Sequence, residues 1–274
     1  MTASRNALVD YGCMFAAVGT VWFNTHVIGD RIAYAALPFF LVLLSMPFGT
    51  SVSERARKLL WPFLVWSCVY AAFSLAFAVK HDEPPFGWWE WQMLLGGTWP
   101  HLWLLPFAFL VSVLVPWLRH PLVTCWAALL GAGMLAFVGT PVTPPFSQWA
   151  FGLIPVLVGV GFFAWGWRFA SVVLLASWLI LHFFRPSEDN AVILAGSILA
   201  LAILSNHLPQ TSFSSWCARL SIGVYLVHPL AIILGQSLRI TWVELGLFSI
   251  AVSVIFAALI DAAGQPPRDA TVRP

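Results

Sequence analysis

Apolar residues run in long blocks from one end of this chain to the other, separated by short polar or proline-rich breaks. A helix crosses a bilayer core about 30 Å thick with about 20 mostly apolar residues. Blocks of about that length fall at 8–29, 33–49, 59–79, 100–118, 121–139, 150–167, 169–184, 191–208, 221–238 and 241–261. The pattern predicts an all-α, polytopic bundle of about ten transmembrane helices, several of them short or interrupted by proline. The longest polar break is KHDEPPFGWWEWQMLLGGTWPH, residues 80–101. Its Trp88, Trp89, Trp91 and Trp99 suit an aromatic belt, so the segment reads as interfacial rather than as a lid. TPVTPPFSQW, residues 140–149, reads as a proline-rich turn. No inverted repeat is visible. Residues 1–262 are expected to form a single transmembrane domain, and 263–274 a polar cytoplasmic tail. The first block carries Asp10 and ends without an A-x-A pattern, so it is expected to stay as the first transmembrane helix.

Composition agrees with that pattern and excludes an ordinary soluble domain. Hydrophobic residues make up 60% and charged residues 9% of the chain, with a mean hydropathy of +0.87, where soluble domains carry roughly 25% charged residues. The net charge of +2 says little in total, but its distribution says more. With ten spans and a cytoplasmic N-terminus, one side collects Arg5, Arg55, Arg57, Lys58, Arg119, Arg168, Arg219, Arg268 and Arg273. The other receives Arg31, Lys80, Arg185 and Arg239. That asymmetry places both termini inside by the positive-inside rule. Cys13, Cys68, Cys125 and Cys217 follow no metal or disulfide spacing and read as small hydrophobes, so no metal site is expected.

Candidate chemistry rests on the polar residues that fall within the apolar blocks, because a polar group is costly in hydrocarbon and marks function by default. In LSIGVYLVHPL, residues 220–230, Ser221, Tyr225 and His228 recur at i, i+4 and i+7 and share one helical face. Pro229 has no N–H, so the carbonyl of Tyr225 loses its helical donor and is open to another partner. Structural glue between helices and a functional lining are equally good readings of this stripe. His26, near the end of the first block beside Asn24 and Thr25, suits a general base, or else an interfacial residue among headgroups. SERARKLLWPFLVW, residues 53–66, sets Arg55, Arg57 and Lys58 before an apolar helix. That cluster suits a topology anchor, a site for anionic lipid, or forked binding of a phosphorylated donor.

Three stretches in order, ERARKLLWPFLVW, GTWPHLWLLPFAFLVSVLVPWL and WCARLSIGVYLVHPL, resemble the integral membrane acyltransferase 3 family. The matching residues are Arg55 and Arg57 with Pro62; His101, Leu102 and Trp103; then Ser221, Tyr225, Leu226, His228 and Pro229. The resemblance implies a membrane O-acyltransferase that moves an acyl group, usually acetyl, from acyl-CoA to a hydroxyl of an envelope carbohydrate. It implies His26 as the catalytic base, Arg55, Arg57 and Lys58 as the acyl-CoA site, and His101, Trp103, Ser221, Tyr225 and His228 as acceptor or cavity-lining residues. No cofactor would be held permanently, acyl-CoA being a substrate. The partners implied are membrane lipid, a carbohydrate or glycolipid acceptor and envelope-polysaccharide biosynthesis proteins, without nucleic acid, in the inner membrane. Family members also carry an Arg ahead of the first-helix His, where this chain has Phe15 before His26 or, in the register set by Asp10, Cys13 and Asn24 in the two places. That departure keeps two other classes in view: a non-catalytic acyltransferase-like subunit, and a transporter of polysaccharide or lipid-linked sugar.

Overall fold

The computed structural model describes residues 6–46, 50–138 and 143–264. Arg5, Arg268 and Arg273, the end of the expected 33–49 span, residues 140–142 of the proline-rich turn and nearly all of the expected tail lie outside the described residues. The chain is all-helical, with no strand among the described residues. In order the helices are α1 (Ala7–Asn24), α2 (Asp30–Ala33), α3 (Ala36–Leu43), α4 (Val52–Lys80), α5 (Met93–Gly96) and α6 (Leu104–Leu118). There follow α7 (Pro121–Phe137), α8 (Phe146–Trp165), α9 (Trp167–Phe184), α10 (Glu188–Leu204), α11 (Ser212–Ser237) and α12 (Trp242–Gly264).

Five of these, α4, α8, α9, α11 and α12, are long and apolar enough to cross a membrane. In α4 the most apolar window has a mean hydropathy of 1.8, yet only 17% of it is buried. Apolar residues turned outward on that scale need hydrocarbon around them, so this is a membrane protein. The first two expected spans are shorter than the apolar pattern suggested. Helix α1 stops at Asn24, whose side chain donates to Thr20 O (2.8 Å) while Thr25 Oγ1 donates to Trp22 O (2.7 Å). His26 then takes a left-handed φ of 53°, which ends the helix. The 33–49 block is helical over Ala36–Leu43, with turn residues at Tyr34 and Ala35 before it.

The chain divides into two compact units, with boundaries inside α3 and α10. The first comprises the described parts of Met1–Leu37 and Ala202–Pro274, in which α1, α11 and α12 pack on one another and α2 folds back on α1. Asn6 organises one end: its Oδ1 accepts from Leu8 N (3.1 Å) and Leu208 N (3.0 Å), and its Nδ2 donates to Asn206 O (2.7 Å). Helix α11 opens with a reciprocal capping box between Thr211 and Ser214. Arg219 on α11 donates to Asp261 on α12 at 3.2 Å. Gly223 lets those helices approach, since a Cβ there would lie 2.9 Å from Ala257 Cβ.

The second unit, Pro38–Leu201, is built on α4 against α6 and on the mutually packed α7, α8 and α9. Helices α4 and α6 run in opposite directions, because Thr98 meets Ser67 whereas Ser112 meets Arg55. The segment between them does not lie flat at the end of α4. It folds back along that helix: Thr98 Oγ1 donates to Ser67 O (2.7 Å), and Trp99 stacks on Tyr70 with ring centroids 5.2 Å apart. Trp99 is therefore packed against the shaft of α4, ten residues short of its last residue Lys80.

Candidate functional site

The polar stripe expected on α11 is present and buried, with Ser221 at 8%, Tyr225 at 4% and His228 at 1% exposure. Pro229 sits inside the helix and leaves Tyr225 O without an amide donor. The partner that takes its place is the histidine one position earlier, whose Nδ1 lies 2.6 Å from Tyr225 O. A carbonyl only accepts, so Nδ1 carries the hydrogen and the neutral ring keeps its lone pair on Nε2. Ser221 donates to Ala218 O on its own helix at 3.1 Å. Two of the three stripe residues thus spend a hydrogen on α11 itself.

His26 differs in every respect. It stands in the turn after α1, its side chain 78% exposed, with Nδ1 3.8 Å from Asp30 Oδ2. Phe23 packs edge-on to its ring at 6.1 Å between centroids. Asn24 and Thr25 bond their own helix and leave the imidazole to Asp30 and Phe23.

In the second unit the three side chains of the basic cluster have different surroundings. Arg55 Nη1 donates to Ser112 O on α6, and its Nε reaches Ser51 O at 3.4 Å. Pro116 lies inside α6 and removes the amide that would have served Ser112 O, so Arg55 fills a vacancy of the same kind as the one on α11. Lys58 pairs with Glu54 at 2.7 Å. Arg57 is exposed. His101 and Trp103 are buried where the fold-back segment enters α6. His101 meets the edge of Tyr70 at 5.3 Å, and Trp103 packs on Phe107 at 5.6 Å. Tyr70, fully buried between Trp99 and His101, escaped sequence reading, because its partners come from a segment about thirty positions further along the chain. Among the described residues no group of three His, Cys, Asp or Glu side chains is placed to hold a metal ion.

A polytopic helical membrane protein emerges, carrying an exposed, carboxylate-flanked histidine in one unit and a basic helix start in the other. The family model described as an acyltransferase domain matches residues 14–262, and the chain belongs to that family, acyltransferase 3. No curated protein and no solved structure matches the chain significantly.

Proposed function

We propose that the protein is a multi-pass inner-membrane O-acyltransferase, with about ten membrane-crossing segments and both termini cytoplasmic, acting as one domain over residues 1–262. The donor is acyl-CoA, acetyl-CoA by preference, and the acceptor a hydroxyl of an envelope carbohydrate. The observation that carries this reading is His26 in a chain of this family: a solvent-accessible imidazole with the Asp30 carboxylate 3.8 Å away. Asp30 is close enough to favour the imidazolium that forms when a ring nitrogen takes the acceptor proton. The acceptor oxygen attacks the thioester carbonyl as its proton passes to His26. The C–O bond forms, the C–S bond breaks, and the proton leaves with the CoA thiolate as free thiol.

The CoA phosphates are assigned to Arg57 and Lys58 at the cytoplasmic start of α4, with Arg55 adding its charge from the same turn of the helix. Ser221, Tyr225, His228, His101 and Trp103 are assigned to the acceptor side. A second reading, a non-catalytic subunit or a carrier of lipid-linked sugar, is favoured by Phe15, an exposed apolar residue where the family has a basic one. Incubating the purified protein with acetyl-CoA, with and without glycan acceptors, separates them. Acceptor-dependent thiol release and an acylated glycan support the enzyme; a protein that releases no thiol under any condition sinks it.

A further inference from the structure

We infer that the pocket of about 300 Å³ between the fold-back segment and the start of α8 binds a hydroxyl-bearing ring of the acceptor. The inference rests on the acyl-transfer reading above and adds to it the place where the acceptor docks.

The pocket is walled by Glu90, Gln92, Met93 and Trp99 on one side and by Pro145 and Gln148 on the other. Its volume lies at the lower end of small-molecule sites, about 300–1,000 Å³. The depth it reaches is set by two contacts. Thr98 is tied to Ser67 and Trp99 to Tyr70, thirteen and ten residues before the end of α4. At 1.5 Å per residue these are about 20 and 15 Å along the helix axis. Residues 97–103, between α5 and α6, are not helical. Backbone of that kind at membrane depth persists only where protein covers it or water reaches it. The pocket opens beside residues 97–100 of this backbone.

The chemistry of the wall suits a sugar ring. Glu90 is exposed and offers a carboxylate to hydroxyl donors. Gln92 Oε1 is buried with no hydrogen-bond partner among the described residues, an acceptor with no protein donor. Gln148 donates to Pro100 O at 3.2 Å, which pins the start of α8 to the rim. Trp99, held by Tyr70, adds a rigid apolar surface for the C–H face of a ring. Carboxylate and amides set into a largely apolar wall with a fixed indole suit a ring that carries hydroxyls on its rim and C–H groups on its face.

The test uses the whole protein in lipid nanodiscs, with acetyl-CoA as donor and two forms of one oligosaccharide, free and carried on a ten-carbon alkyl chain. Two variants read the pocket: Glu90→Gln removes the carboxylate without changing shape, and Met93→Trp fills the space. Both should raise the acceptor KM at least tenfold while leaving the KM for acetyl-CoA and the slow acceptor-free thiol release unchanged. Binding of the radiolabelled oligosaccharide, followed by equilibrium dialysis, should be lost in Met93→Trp. A lower KM for the alkyl form identifies a lipid-borne source of the ring, and equal values a soluble one. Wild-type acceptor KM in Met93→Trp overturns the inference while leaving the enzyme intact. If no thiol is ever released, the acyl-transfer reading fails, and the dialysis arm decides the pocket alone: glycan bound by wild type and lost in Met93→Trp sustains it, and no glycan bound by wild type ends it.

Discussion

His228 Nδ1 lies 2.6 Å from the carbonyl oxygen of Tyr225, the one carbonyl of α11 that Pro229 deprives of its amide. The ring therefore does for the backbone what residue 229 cannot. Replacing His228 with Ala leaves that buried carbonyl without its donor, a loss of about 1–3 kcal/mol. Pro229→Ala returns an N–H to the same carbonyl. The double variant His228→Ala/Pro229→Ala should then unfold less readily in detergent than His228→Ala alone, and strict additivity in that double-mutant cycle would show the contact to be incidental.

The same argument governs Arg55 and Ser112, where Pro116 supplies the vacancy. Arg55→Ala should destabilise the fold by about 1–3 kcal/mol, with partial rescue by Pro116→Ala. Arg57→Ala, at an exposed position, should change stability by less than about 0.5 kcal/mol but raise the KM for acyl-CoA at constant kcat, since only uniform binding is removed. Arg57→Lys should recover part of that binding, a point charge lacking the guanidinium fork. Normal CoA binding by Arg57→Ala would reduce the cluster to an anchor.

These two vacancies mark how far the sequence could be read. Pro229 announces an open carbonyl at Tyr225, because the i to i−4 rule is local. The identity of its partner depends on the rotamer of His228, which only packing selects. Arg55 and Ser112 lie 57 positions apart, so no periodicity links them. The apolar pattern located the helical blocks but overran the first two, since hydropathy does not register a left-handed residue such as His26 or side chains that cap a helix end. It also left the 80–101 segment at the interface, where the tryptophans belong by composition. Trp99 packs along α4 because Tyr70 offers it a ring and Ser67 offers Thr98 a carbonyl, neither of which composition registers. Glu90, Gln92 and Gln148 carried no signal, being ordinary loop residues until the chain folds back.

Packing of α8 supplies a stability test. A Cβ at Gly159 would collide with Val42 O, a backbone atom that cannot turn aside, and Ser45 already bonds Val156 O at 2.8 Å beside it. Gly159→Ala should therefore cost about 1–3 kcal/mol as overpacking. Gly133, inside α7 with nothing within 4 Å of an added Cβ, is the control. Gly133→Ala should leave the protein unchanged or stabilise it by up to about 1 kcal/mol. Equal melting temperatures for the two variants would mean that α8 does not approach residue 42 so closely.

Membrane sidedness is tested by labelling. In a variant lacking the four native cysteines, Thr143→Cys should react with an impermeant thiol reagent from outside intact cells, while Ala56→Cys should react only after permeabilisation. Both positions are exposed or half-exposed, so a failure to label reflects the membrane and not burial. The reversed pattern would move the basic start of α4 to the outside and remove cytoplasmic acyl-CoA as its ligand.

Two of the first unit's three histidines, His26 and His228, make opposite predictions for catalysis. His26 is exposed and flanked by Asp30, whereas His228 is buried with Nδ1 committed to Tyr225 O. If His26 takes the acceptor proton, His26→Gln should lower turnover by about 10²–10⁴-fold, because an amide cannot serve as the base. Binding of acyl-CoA should survive that change. His228→Gln keeps an N–H for Tyr225 O and should retain turnover within about tenfold, with the limb of its pH–rate profile that reports a histidine still present. The reverse result, with both variants folded in detergent, would place the base on α11. There the Tyr225 contact has already fixed the tautomer such a base requires: hydrogen on Nδ1, lone pair on Nε2.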